Sequence, residues 1–144
     1  MSSTELFEKQ VRHFYTQVWD AHDVGAIADV FHEDFSFRGS LGETRRGHDG
    51  FQDYLDSVHE ALGDYRCVIE DLVSQPGKVF AKMHFTGIHR APFMGYSATQ
   101  QRVSWSGCAL FTFSGDKVSD LWVLGDLKSL EQQLAHNAKS DTGE

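Results

Sequence analysis

The chain has 144 residues, of which 40% are hydrophobic and 12% aromatic, and a formal charge of −8; that is enough apolar material for one domain with its own core and too little for two. Phosphate contacts need clustered Lys and Arg, and here only Arg45 and Arg46 stand adjacent, so a nucleic-acid partner is excluded. No window approaches the roughly eighteen continuous apolar residues of a membrane helix, and MSSTELFEKQ lacks the charged-then-apolar pattern of a secretion signal, so the expectation is a freely diffusing cytoplasmic protein without a membrane partner.

From Thr4 to Ala21, Phe7, Val11, Phe14 and Val18 recur on one helical face, with Tyr15 and Trp19 on its flank. His22, Asp23 and Gly25 break this helix. Val24, Ile27, Ala28 and Phe31 predict a shorter second one that Asp23 is suited to cap. Phe35 and Phe37 alternate as in a short strand, and GSLGETRRGHDG, with four glycines in twelve residues, reads as a loop. Phe51, Leu55, Val58 and Leu62 then predict a third helix, with Gly63 in the position of a C-cap glycine.

Beyond Gly63 the period changes to alternation. Four strands are expected: Tyr65 to Ser74, Lys78 to His89, Gln101 to Phe113 and Asp116 to Gly125, joined by the tight turns Gln75-Pro76-Gly77 and Ser114-Gly115-Asp116 and by a longer excursion over 90–100. Val79, Ala81, Met83, Phe85, Gly87 and His89 share one face of the second long strand; Val103, Trp105, Gly107, Ala109, Phe111 and Phe113 share one face of the third. The opposite parity also carries apolar groups, Phe80, Ile88, Cys108, Leu110, Leu121 and Val123 among them. A second subunit on the outer sheet face, giving a homodimer, is therefore expected. The plan is α+β, a curved antiparallel sheet wrapped over three N-terminal helices and closed by a short C-terminal helix, with a pocket between the layers. One domain spans residues 1–137, and the polar residues 138–144 read as a frayed tail.

The stretch VSDLWVLGDLKSLEQQL, from Val118 to Leu134, joins the last strand to the closing helix with Asp126 at the junction. Counting in twos from Val118 puts Asp120, Trp122, Leu124 and Asp126 on one face, which sets Asp126 beside an indole where a poorly solvated carboxylate would be a stronger base. The alternative is a plain helix cap ahead of Leu127, Leu130 and Leu134. Eight histidines invite a metal reading, but without H-x-H, H-E-x-x-H or Cys/His pairing no metal is expected. The two cysteines, Cys67 and Cys108, lie in strands without C-x-x-C spacing and read as reduced thiols.

Three local patterns carry a resemblance. They are Arg46-Gly47-His48-Asp49-Gly50-Phe51, then Gly87-Ile88-His89-Arg90-Ala91-Pro92-Phe93-Met94-Gly95, then Asp120-Leu121-Trp122-Val123-Leu124-Gly125-Asp126 followed by Gln132-Gln133-Leu134. In this order they resemble the SnoaL-like polyketide cyclase and ester cyclase family, with its nuclear transport factor 2-like cone. The resemblance implies an intramolecular aldol ring closure, free of metal and cofactor, on a carbonyl-bearing polyketide-like molecule, with Asp126 as base. His89 would then hydrogen-bond the developing enolate, Tyr15, Met83, Phe85, Trp105 and Trp122 would shape the pocket, and Arg38 would stand where the family often has a histidine. For His89 the alternative is a strand-end histidine held by a backbone carbonyl, for Arg38 a surface salt bridge, and for Trp19 simple core packing. Two other functions fit the same shape. One is a non-catalytic module that binds an apolar metabolite or acts as a dimeric scaffold; the other is a hydrolase of the epoxide hydrolase type, which needs an Asp–Arg–Asp arrangement.

Overall fold

The computed structural model describes residues 3–141. Helix α1 (Ser3–His13) passes into a π-helical stretch, Phe14–Asp20, whose wider turn buries Phe14, Tyr15, Val18 and Trp19 together. A 3₁₀ turn (Val24–Ala26) and the single turn α2 (Ile27–Val30) follow, with the Asp23 carboxylate accepting the Gly25 N–H at 3.0 Å. Next come β1 (Phe31–Arg38), β2 (Thr44–Arg46), α3 (Gly47–Ala61), β3 (Leu62–Gln75), β4 (Lys78–His89), β5 (Arg102–Ser114), β6 (Lys117–Gly125) and α4 (Leu127–Asp141).

The six strands form one curved sheet in the order β2-β1-β6-β5-β4-β3. All neighbours are antiparallel except β1 and β6, which run parallel. Strand β2 lies within the glycine-rich stretch that composition marks as loop, because Arg45 and Arg46 pair with Phe37 and Ser36. Gly63 is not a C-cap: α3 ends at Leu62, already extended, and the chain enters β3 without a turn. Helix α4 continues to Asp141, through the first part of the expected 138–144 tail, and residues 142–144 lie outside the described residues.

The core fills the concave side of the sheet. Phe14 is its hub, with ring centroids 4.8 Å from Tyr15, 5.1 Å from Phe31, 5.8 Å from Phe51 and 5.7 Å from Phe111. On β4 and β5 the expected inward residues are the buried ones. Strand β6 breaks the count: Thr112 faces Asp120, whereas Phe113 faces Val118, so Ser119 is an extra residue in a β-bulge. Past the bulge the inward set is Leu121 and Val123, and Trp122 and Leu124 face out.

Where β6 ends, α4 takes over the free edge of β5. Ser104 N donates to Gln133 Oε1 at 2.9 Å and Gln133 Nε2 donates to Ser104 O at 2.6 Å, so one amide side chain imitates a strand partner. Asp126 N adds a bond to Ser106 O at 2.9 Å. The edge is thereby covered, and Leu130 and Leu134 are driven to full burial.

Candidate functional site

Between the π-helical stretch, α3 and the inner sheet face lies a hollow of about 20 Å³, lined by Phe14, Tyr15, Trp19, Phe37, Ser40, Tyr54, Tyr65, Phe85, Leu121 and Val123. It has room for one or two waters and none for a ring. Three aromatic hydroxyls reach its wall, and burial pushes Tyr15 and Tyr65 well above the ordinary phenol range and Tyr54 upward as well. All three are therefore neutral, and phenols of this kind donate hydrogen bonds instead of accepting protons.

Tyr15 Oη, Trp105 Nε1 and His89 Nε2 are buried without a hydrogen-bond partner among the described residues. Orphaned buried donors are rare, because each keeps the full cost of leaving water. The Trp105 N–H faces Gly125, next to Ser40, which lines the hollow. It lies 3.1 Å from the point a Cβ on Gly125 would occupy, and Ser40 Cβ lies 3.1 Å and Ser40 O 3.2 Å from that same point. Gly125 is thus required for indole and serine to approach each other. The Trp105 ring in turn lies 5.4 Å from Phe85 and 6.2 Å from Tyr65.

Of the residues singled out from sequence, Tyr15 and Phe85 line the hollow and Trp105 borders it. Met83 is fully buried on the same face without lining it. His89 is fully buried away from it, with Nδ1 3.1 Å from the Thr99 hydroxyl, a side chain and not the backbone carbonyl that was the alternative. Trp122 is 40% exposed on the outer face with the Arg38 guanidinium 5.7 Å from its ring centroid, and Arg38 Nη1 donates to Val123 O. Neither reaches the hollow, nor does Arg38 form the surface salt bridge among the described residues.

The expectation that Asp126 faces inward is corrected: it is exposed, and its Oδ1 accepts the Ser129 N–H at 3.1 Å as the N-cap of α4. The reason is the Ser119 bulge, which turns the Trp122, Leu124 and Asp126 parity outward. Trp19, assigned to core packing, is buried and lines the hollow as well. Sequence reasoning missed Tyr54, Tyr65 and Ser40. Tyr54 follows Phe51 by three on the buried face of α3, which was the available signal; Ser40 in its loop gave none. Among the described residues no cluster of three or more His, Cys, Asp or Glu is placed to hold a metal ion, and no helix is long and apolar enough to cross a membrane. The Cys67 thiol is buried and pushed well up, first by desolvation, which makes it inert as a nucleophile.

The outer wall of the site is titratable. His59 is sandwiched between Trp19, at 5.9 Å, and His22, whose ring lies 4.0 Å away and 5° from parallel. Its Nε2 donates to Trp19 O at 2.7 Å, and Arg90 donates to His59 O. Burial first, then His22, holds the imidazole below its ordinary pKa; the bond to the Trp19 carbonyl opposes this, Arg90 adds to it, and Asp56, 2.8 Å from His22 Nε2, opposes it more weakly. The folded state therefore resists a proton that the unfolded chain accepts near pH 6.5, so stability is intact above that value and falls as the pH drops toward the folded pKa. The urea midpoint should accordingly be lower at pH 5 than at pH 7. His22→Gln should shrink that difference, and an equal midpoint at both pH values would refute the assignment.

The SnoaL-like polyketide cyclase model matches residues 9–134. Among solved structures, a protein assigned as a SnoaL-like polyketide cyclase from Jannaschia sp. CCS1 superposes with TM-score 0.85 at 16% identity, covering 94% of this chain and 95% of that one. One assigned as a polyketide cyclase from Acidithiobacillus ferrooxidans gives 0.83 at 20% identity, over 96% and 100%. TsrD from Streptomyces laurentii gives 0.80 at 22% identity, over 90% and 95%. No curated protein matches the sequence. By its six-stranded cone and by a family match that takes in residues 9–134, this protein belongs to the SnoaL-like polyketide cyclase family.

Proposed function

We propose that the chain binds a neutral, carbonyl-bearing small molecule, with the carbonyl oxygen seated in the hollow between the Tyr15 hydroxyl and the Trp105 N–H. The observation that supports this reading is the pair of buried donors without partners beside one aromatic hollow. Two donors aimed at a carbonyl oxygen polarise it and stabilise the enolate that forms when a neighbouring carbon loses its proton, which is the acid half of a cyclisation or isomerisation. A thermal-shift screen of neutral ketones and aldehydes tests it. Ligands of this class should raise the melting temperature, and a screen in which none does so would count against the site.

The second reading makes the chain an enzyme with Asp126 as base, and it is favoured by the position of that residue in the family pattern. Against it stands the lining of the hollow, which among the described residues holds neither a carboxylate nor an imidazole. A hydrolytic mechanism meets the same obstacle. Asp126→Asn separates the readings, because Asn caps a helix as well as Asp does and the fold should be unchanged. A base role predicts a loss of turnover on the order of 10²-fold or more; a purely capping role predicts an unchanged rate.

A homodimer through the outer sheet face is part of the proposal. The register lines up Trp122, Leu110, Phe80 and Val73 as one apolar row across β6, β5, β4 and β3, and Val73 is 64% exposed. Sedimentation equilibrium should give twice the chain mass of 16.2 kDa, and Phe80→Lys should return the monomer.

A further inference from the structure

The hollow is too small for the molecule it is proposed to hold. Outside it, between α3, the loop after β1 and the turn after β4, lies a groove of about 360 Å³ whose lining includes Leu41, Tyr54, Val58, Phe93 and Met94. That volume is within the range of small-molecule sites. Tyr54 lines both spaces, so one side chain is the partition between them. Its ring lies on Gly39, where a Cβ would sit 2.5 Å from Tyr54 Cζ, and its hydroxyl is hydrogen-bonded to the Ser40 side chain and receives a long bond from Leu41 N at 3.4 Å. Packing against a bare backbone and these two hydroxyl contacts hold the partition.

The groove also indicates what fits it. Its one charged lining residue, Glu43, is exposed and ion-paired to Arg45 at 3.0 Å, so the groove offers no cation to an acidic group and repels a carboxylate. The far wall is a two-residue turn closed by mutual Phe93 and Tyr96 backbone bonds of 2.9 and 3.0 Å, and it holds Met94 at φ 51°, a left-handed conformation unfavourable for a side chain of its size. The turn thus presents an unbranched, adaptable thioether to the groove at a conformational cost.

We propose that the ligand is a two-part molecule, with its carbonyl end in the hollow and an uncharged apolar arm lying in the groove, the two joined past Tyr54. This rests on the hollow as the carbonyl site. The test measures binding of acetophenone, 4-butylacetophenone and 4-octylacetophenone to the full chain by titration calorimetry. Burial of each methylene is worth about fourfold at most, so the affinity of the wild type should climb by about tenfold or more across the series. Ser57→Trp, which fills the groove, and Met94→Asp, which places a charge in it, should each abolish that climb. Tyr15→Phe should weaken all three ketones alike, which reports on the hollow alone. A wild-type affinity indifferent to arm length, or a climb that survives both groove variants, overturns the two-part ligand while acetophenone binding upholds the hollow. Failure of acetophenone and its homologues to bind at all overturns both.

Discussion

Replacing Tyr15 by phenylalanine should make the protein more stable and its ligand binding weaker. The Tyr15 ring is buried against Phe14 and Phe111, at 4.8 and 5.9 Å, and phenylalanine keeps both contacts. What is lost is a buried hydroxyl with no partner, and such a group costs about 1–3 kcal/mol in the free protein. The melting temperature of the free protein should therefore rise. The same hydroxyl is the donor assigned to the ligand oxygen, so its removal should lower ketone affinity by about tenfold to a hundredfold. Opposite signs on stability and binding are the mark of a group kept for function, because a structural hydroxyl would give a loss in both. A lower melting temperature in Tyr15→Phe, measured without ligand, would show that the hydroxyl is satisfied in the protein itself and would remove the main support for the site.

Much of the fold was legible because alternation and helical spacing report burial directly. Strand β4 begins and ends where its pattern does, from Lys78 to His89, and its inward residues are the buried ones. The N-terminal helix was readable in extent but not in kind. Over about one turn and a half, the i→i+5 spacing of a π-helical stretch is hard to tell from the α-helical one, and only the crowding of Phe14, Tyr15, Val18 and Trp19 onto one side distinguishes it. Strand β2 was hidden because three residues bounded by Gly42 and Gly47, both at positive φ, carry no alternation to read.

The site was less legible, for a reason that one residue makes plain. A period-two count is sound until a bulge inserts a residue, and Ser119 does so four positions before Val123. Every side chain assigned beyond Ser119 then changes face, which carried Trp122 and Asp126 from the hollow to the surface. Composition offers no warning of a bulge, since Ser119 is an ordinary strand-edge residue whose hydroxyl happens to reach Thr112 O at 3.2 Å. The phenols that do line the hollow come from three separate elements, the π-helical stretch, α3 and β3, so nothing in the linear order joins Tyr15, Tyr54 and Tyr65.

Phe14→Ala should be the most destabilising of the substitutions considered, at about 3–5 kcal/mol. Phe14 is 1% exposed, its ring is in contact with four other aromatic rings, and those rings belong to the π-helical stretch, β1, α3 and β5. So many rigid elements meet there that the gap cannot collapse, which places the cost at the upper part of that range. Because Phe14 also lines the hollow, the space vacated opens onto the existing cavity and forms a larger apolar chamber beside Tyr15. An aromatic ketone such as acetophenone should then bind the variant without moving Tyr54, and by binding only the folded state it should recover a large part of the lost melting temperature. The wild type, whose hollow must first be opened, should gain less from the same concentration. Measured as the ligand-induced shift in melting temperature, a gain larger in Phe14→Ala than in wild type is the expected order. The reverse order would mean that the ketone binds elsewhere and that the hollow is merely a flaw in the packing of the core.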